Sequence, residues 1–409
     1  MKRKSMLFIV ICVMFVLMNA CDETVYVHVN GTTGNDSTGE RGNPNKPFKT
    51  IQKGIDVSVD LDIVLVADGI YNENIDFNGK AIVVKSESGP AKTTIRGTGV
   101  GDVVIGATDG TIQGFTITGS GNYWYDCGVQ AKLATMTIRG NIIKSNWVGI
   151  NTSNTNEPLI VNNIIYNNSH YGIVASYYSA PTIINNTVAF NGEHGIASQS
   201  GTGIVMNNII SFNGGNGIFC TFPESSPEIS YNNVFGNQLG NFFSCLPGEG
   251  DISADPLFID AVNNDYHLRN DSPCIGAGIM TPEVPDTDIE RTPRPNPPGS
   301  YPDMGACEYP SFSPPLNFIG QKVLNRSLSQ IEYINKLNWQ SNPDNADLNI
   351  LNYRIYQLDE MGISLLVELD ANTFEYWHRD IDNYEEYNYA ICAVIDDGSE
   401  SIRSFVTVE

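Results

Sequence analysis

The chain has 409 residues, room for two or three domains at roughly 100–200 residues each. Apolar residues make up 41% and charged residues only 17%, which excludes a disordered chain. The 46 Asp and Glu against 23 Lys and Arg leave a net charge of −23, which excludes a nucleic-acid partner and disfavours strongly anionic polymers.

Lys2, Arg3 and Lys4 open the chain, and Met6 to Met18 is an unbroken apolar run. As a helix that run rises about 20 Å, short of a bilayer core of about 30 Å. Residues 1–20 therefore read as a secretory signal peptide. The run ends Leu17-Met18-Asn19-Ala20-Cys21, which resembles a bacterial lipobox. That resemblance implies lipidation at Cys21 and a bacterial cell-envelope location, membrane-bound by the lipid; ordinary cleavage and secretion is the alternative. Six further cysteines remain: Cys127, Cys220, Cys245, Cys274, Cys307 and Cys392. An oxidising compartment permits disulfides; sequence does not fix their connectivity, and Cys220–Cys245 and Cys274–Cys307 are the candidate pairs. No Cys or His spacing suggests zinc.

Next comes an N-terminal cap. Pro47 suits a helix start, and Phe48, Ile51 and Ile55 share one helical face. Ile63 to Val66 reads as a buried strand, and Asp68-Gly69 as a turn.

From there the chain repeats itself. Asn-Ile-Ile or a close variant starts at Asn141, Asn163, Asn186, Asn208 and Asn233, a period of 22 to 25 residues. A second asparagine follows at Asn146, Asn168, Asn191, Asn213 and Asn237, and Gly-Ile recurs at Gly149, Gly172, Gly195 and Gly217. Short β-branched runs broken by Asn and Gly predict strands and tight bends, with no helical period between them. One such unit fits one coil of a parallel β-helix, with Ile stacked on Ile inside and Asn on Asn at the bends. The Asn ladder is structural on this reading, because stacked amides satisfy one another.

Tyr26-Val27, Pro47-Phe48-Lys49-Thr50-Ile51-Gln52 and Val66-Ala67-Asp68-Gly69-Ile70-Tyr71-Asn72-Glu73-Asn74 resemble the start of secreted right-handed parallel β-helix proteins of the pectate-lyase-like superfamily. The likeness covers roughly residues 24–250. It implies the fold and leaves the activity open, because this fold carries lyases, hydrolases, epimerases, adhesins and inactive surface proteins. Asp255-Pro256-Leu257-Phe258, Ser272-Pro273-Cys274-Ile275 and Asp303-Met304-Gly305-Ala306 resemble a choice-of-anchor type terminal segment, expected to wrap the last coils. Asp286, Asp288 and Glu290 offer oxygens of the kind calcium takes, but a solvated acidic loop is the favoured reading; no other cofactor is expected.

Residues 310–315 form a Pro-rich linker, and 316–409 resemble a fibronectin type III sandwich. Trp339 takes the place of its core tryptophan. Tyr387, six residues after Ile381, takes that of its corner tyrosine. The fold class is thus all-β: a right-handed parallel β-helix over 24–309, then a β-sandwich.

Counting back from the recurrent Gly places Asp126, Trp147, His170, Glu193 and Gly215 in one column. Cys127, Val148, Tyr171, His194 and Asn216 form the next, and Trp124 and Tyr125 lie beside the first coil. Aromatic rings stack on sugar faces, and Asp126, Glu193, His170 and His194 can move protons. At about 4.8 Å per coil, Asp126 and Glu193 lie about 14 Å apart, beyond the roughly 5–9.5 Å of paired glycosidase carboxylates. Tyr177 and Tyr178 are expected on another face. Cleavage of polyuronates needs cations, yet between Phe115 and Gly250 the only Lys or Arg are Lys132, Arg139 and Lys144. The expectation is a monomeric envelope protein that recognises polysaccharide or a cell-surface glycan, or serves as an adhesion scaffold. Trp124, Tyr125, Asp126, Trp147, His170, Tyr171, Glu193 and His194 are its candidate contacts. The alternative is a polysaccharide lyase, hydrolase or epimerase; a third reading is a purely structural envelope component with protein partners and no glycan contact.

Overall fold

The computed structural model describes residues 24–408 apart from 124–125, 134, 155–156, 223–226, 297–298, 310–311, 313, 327–330, 347, 360–361, 397–399 and 402. Cys21 and the signal segment lie outside the described residues, as do Trp124 and Tyr125. The described chain divides into two compact units: residues up to 295 with 301–308, and 309–409 with 296–300.

The first unit is a right-handed parallel β-helix with three sheets of nine, eight and eight strands. After the first strand, Tyr26–Val29, each rung of the described residues contributes one strand to each sheet, for example Thr137–Arg139, Ile142–Lys144 and Val148–Ser153. The strands pair in parallel with the equivalent strand of the next rung, so each inward position forms a column. In the first sheet the column is Ile112, Ile138, Ile160, Ile183, Val205 and Ile229. In the second it is Ile117, Ile143, Ile165, Val188, Ile210 and Val234. In the third it is Val129, Ile150, Ile173, Ile196 and Ile218. All are buried, each worth about 1.5–3 kcal/mol of transfer free energy. β-Branched side chains suit these positions because their single favoured rotamer stacks without loss.

The bends explain the Asn and Gly. Between the first and second sheets, Gly114, Gly140, Asn162, Asn185 and Asn207 all have positive φ, between 51° and 80°. The next residue begins the ladder Asn141–Asn163–Asn186–Asn208. Each Nδ2 donates to the following Oδ1 at 2.9–3.1 Å, and Asn208 continues it to Asn232. The sequence motif at Asn233 is therefore one residue out of register: Asn232 takes the ladder position and pairs onward with Asp251. Asn233 instead bonds Ala254 O and Cys274 Sγ. The second expected ladder, Asn146–Asn168–Asn191–Asn213–Asn237, stands as predicted.

The cap helix is Ile51–Val57. It starts later than Pro47 because Thr50 is its N-cap, accepting from Lys53 N, while Phe48 bridges to Val29. The Glu73 carboxylate accepts from both Ile51 N and Gln52 N at 2.9 Å, closing the helix's first turn.

Residues 251–274 meet the last coil: Ile252 bridges to Asn233, Asp251 accepts from Asn232, and Cys274 Sγ lies on Asn233. After the hairpin of Phe258–Asp260 and Asp265–Leu268, the chain runs back along the side of the β-helix. There Thr287 O, Asp303 O and Ile279 O accept from Asn162, Asn185 and Asn207. The path follows the outward bend amides, which would otherwise need water. Two of the three candidate calcium carboxylates have other partners: Asp288 accepts from Glu290 N, Thr292 N and Glu308 N, and Glu290 pairs with His267. Among the described residues no group of His, Cys, Asp and Glu is arranged to hold a metal. Neither candidate disulfide is formed. Cys274 faces Asn233, and Cys245 hydrogen-bonds to the Cys220 thiol instead of bonding to it covalently.

The second unit has two antiparallel sheets, compatible with a β-sandwich. One comprises Leu316–Arg326, Ile331–Gln340 and Glu375–His378; the other comprises Gly362–Asp370, Ile350–Asp359, Tyr387–Ile395 and Ser404–Val408. Leu337, Trp339, Tyr353, Ile355, Tyr389 and Ile391 form its core. The Tyr387 hydroxyl accepts from Asp382 N at 2.9 Å, tying the strand start to the loop before it. Among the described residues no helix is long and apolar enough to cross a membrane.

Candidate functional site

The predicted columns exist as backbone. His170 N donates to Trp147 O, Glu193 N to His170 O and Gly215 N to Glu193 O, each at 2.7–2.9 Å. Beside them Gly149 N bonds Tyr171 O, Gly172 N bonds His194 O and Gly195 N bonds Asn216 O. These residues line the edge where the chain enters the third sheet.

Parallel stacking turns the columns into a ridge of rings. Trp147 stacks on His170 at 3.8 Å between centroids, and Tyr171 on His194 at 5.6 Å. His194 stacks nearly parallel on Phe219 at 4.3 Å between centroids, and Phe219 stacks on Phe243 at 5.0 Å. Such pairs add about 0.5–1.5 kcal/mol each beyond area burial. Trp147, Tyr171 and Phe219 are half-buried over Cys127, Val148, Val174 and Ala197, so the ridge has an apolar footing and an open side.

The imidazoles differ. His194 Nδ1 accepts from Asn216 N at 2.8 Å, which puts its proton on Nε2, and burial holds its pKa below the usual value although Glu193 opposes this. It is neutral at neutral pH. His170 Nε2 lies 3.9 Å from Glu193 Oε1, and its buried Nδ1 has no hydrogen-bond partner among the described residues.

Asp126 does not join Glu193. It lies three rungs away and accepts from Tyr123 N through Oδ2. Its carboxylate opens instead onto a groove of about 440 Å³, lined by Asp102, Asp126, Gln130, Lys132, Asn151, Ser153, Asn154 and Tyr177. The groove follows strands Cys127–Lys132 and Val148–Ser153 from the ridge to the far edge of the third sheet. Tyr177, expected on another face, stands at that far end. Tyr177 and Tyr178 are consecutive at φ 50° and 63° and are 66% and 73% exposed. Two tyrosines in a left-handed turn cost about 1–2 kcal/mol each, a position where Asn-Gly is usual.

Asp102 Oδ1 accepts from Cys127 N at 2.9 Å and from Cys127 Sγ at 3.1 Å. Burial raises its carboxyl pKa, and the Asp126 charge adds to this. Burial, with Asp102 beside it, pushes the Cys127 thiol well up, so Cys127 is a neutral S–H donor and not a nucleophile. The same thiol reaches Gln130 Oε1 at 3.5 Å, which also accepts from Asn151 Nδ2 at 3.1 Å.

Sequence reasoning missed Phe219, Phe243, Asp102, Gln130 and Asn151. Phe219 was findable: it lies two residues after the recurrent Gly217, in register with Asn151, Val174 and Ala197. Asp102 had no signal, because it precedes the clear repeats.

The family model for the right-handed β-helix region matches residues 101–251. No curated protein matches the chain. Among solved structures, a rhamnogalacturonan lyase is 14% identical over 53% of this chain and 69% of its own, with a TM-score of 0.34. A pectin methylesterase in complex with a hexasaccharide is 12% identical over 60% and 99%, with a TM-score of 0.32. An Fn3-like protein from Clostridium thermocellum is 15% identical over 24% and 93%, with a TM-score of 0.19.

Proposed function

We propose that this chain is a bacterial envelope glycan-recognition protein. The observation that carries the reading is the continuous ring ridge, Trp147–His170 beside Tyr171–His194–Phe219–Phe243, bordered by a polar groove on the same sheet. A saccharide presents apolar ring faces and a rim of hydroxyls, and this surface offers aromatic faces and a rim of acceptors. A lipid on Cys21 holds the protein at the membrane, and the positive Lys2-Arg3-Lys4 segment with its apolar run supports that step. The second unit acts as a fibronectin type III spacer, supported by its two antiparallel sheets and the Tyr387 hydroxyl bond. The protein works as a monomer.

Retention of residues 22–409, with Cys21 replaced by Ser, on a panel of neutral and acidic polysaccharides tests the reading. At least one polymer should retain it, and Trp147→Ala should weaken that retention about 3–10-fold, the worth of one aromatic contact. No retention on any polymer would remove the proposal.

A second reading is favoured by Asp102, whose carboxyl pKa is raised beside Asp126. That is the environment of a general acid, so the groove suits a glycoside hydrolase. New reducing ends from the same panel without unsaturated-uronate absorbance, lost in Asp102→Asn, would establish it.

A further inference from the structure

The groove is rich in acceptors and poor in donors. Asp102 and Asp126 bring two carboxylates to its ridge end, and Gln130 Oε1 is already an acceptor for two donors. Asn151 is 93% buried, its residue exposure being 7%, and its Oδ1 has no hydrogen-bond partner among the described residues. Its register partners Gln130 and Val174 flank it on the outward face of the third sheet, so the amide belongs to the groove floor. Lys132, the one cationic side chain in the lining, stands at the opposite end with Ser153 and Tyr177. A buried acceptor without a donor costs free energy, and so do neighbouring carboxylates without a cation. One ligand group relieves both: an ammonium, which carries several N–H donors and a positive charge.

We infer that the groove from Asp102 and Asp126 to Tyr177 is a subsite for amino sugars, glycan units carrying a free ammonium. The inference rests on the glycan reading of this face and specifies its ligand. The ammonium lies against Asp102, Asp126 and Asn151 Oδ1, neighbouring hydroxyls reach Gln130 and Ser153, and a further sugar ring stacks on exposed Tyr177. Five residue steps along Cys127–Lys132 span about 16 Å, so the groove takes an oligosaccharide and not a single unit. Uronate polymers are repelled at the Asp102 end, and N-acetylation removes the charge the site needs.

Calorimetric titration of residues 22–409 compares a glucosamine oligomer, its fully N-acetylated counterpart and an oligogalacturonate of equal length at about 0.15 M salt. A lysine oligomer of matched charge serves as the control for attraction to the acidic chain as a whole. The glucosamine oligomer should bind at least about tenfold tighter than the N-acetylated one, the worth of one charge-assisted hydrogen bond. Asp102→Asn with Asp126→Asn should abolish that preference. The amide introduced by Asp102→Asn keeps an oxygen for Cys127 N, and an unchanged unfolding midpoint shows that the fold is kept. Equal affinity for the two glucosamine forms, preference for oligogalacturonate, or lysine-oligomer binding as tight as glucosamine and insensitive to the variants would each overturn the inference. The two readings fail separately. Trp147-dependent binding of the N-acetylated oligomer without amine preference ends only this inference, whereas no retention on any polysaccharide of the wider panel ends the glycan reading as well.

Discussion

Asn163 and Asn186 are joined twice through one atom: Asn186 Oδ1 accepts from Asn163 N at 2.9 Å and from Asn163 Nδ2 at 3.0 Å. Asn186 in turn donates to Ile160 O, Ile184 O and Asn208 Oδ1. Every polar atom of the amide is used, all of it buried, so the side chain acts as backbone for the bend. Asn186→Ala leaves two buried donors and two carbonyls short of partners. It should lower β-helix stability by about 2–4 kcal/mol. Urea unfolding should show a lower midpoint with unchanged slope, and a loss below about 1 kcal/mol would mean that water replaces the amide.

Arg294 and Glu308 form an ion pair at 2.9 Å with both side chains fully buried. Arg294 also donates to Gly305 O, so the pair fixes the stretch that runs along the bend amides. Glu308→Leu strands a buried cation and should cost about 3–5 kcal/mol, while Arg294→Met with Glu308→Leu should regain most of it, because a buried pair mainly repays its own desolvation. Denaturation of the two variants side by side separates the cases. Equal losses would mean that the pair itself, and not the orphaned charge, carries the stability.

The β-helix was legible because its physics is periodic. One inward column per sheet and two bend amides per rung repeat every 22 to 25 residues, so Asn146, Asn168 and Gly172 announce their positions. The register slipped at Asn232-Asn233 because both residues of a doublet satisfy the pattern, and pairing with Asn208 on one side and Asp251 on the other selects the first. The path of residues 270–308 left no trace in sequence, since it is held by irregular bonds to bends more than 70 positions away. The ring ridge followed from counting rungs. The groove did not, because Asp102 reaches Cys127 from the preceding rung across a loop of variable length.

His267 is held between Asp265 at 2.5 Å and Glu290 at 3.1 Å, which raises its pKa to about 9, with Glu290 the larger influence. The unfolded chain gives up that proton near pH 6.5. The clamp's stabilisation is therefore fully present below about pH 6.5 and lost as pH rises towards 9. Its size is reduced by solvent, since the imidazole is about one-third exposed. Amide exchange in the Phe258–Leu268 hairpin should quicken across that window beyond its intrinsic pH dependence, and His267→Asn should remove the excess. An imidazole titration by NMR with a midpoint near 6.5 would rule the clamp out.

Cys220 ends strand Asn216–Cys220, and Cys245 follows strand Gly240–Phe243 one rung on. The hydrogen bond between the two thiols, with burial, pushes the Cys245 thiol far above its usual pKa, so little thiolate exists at neutral pH. Oxidised glutathione should therefore react slowly and faster as pH rises. A Cys245 thiolate attacks the glutathione disulfide and releases one glutathione thiol. Cys220 then displaces the second and closes a Cys220–Cys245 bond. The product should have lost two hydrogen atoms in mass, their electrons passing to glutathione, and two titratable thiols, and should gain about 3 kcal/mol by shortening the unfolded loop. Cys245→Ser should stop the change. A glutathione adduct that persists at Cys245 without closure would show that the two sulfurs do not reach bonding geometry.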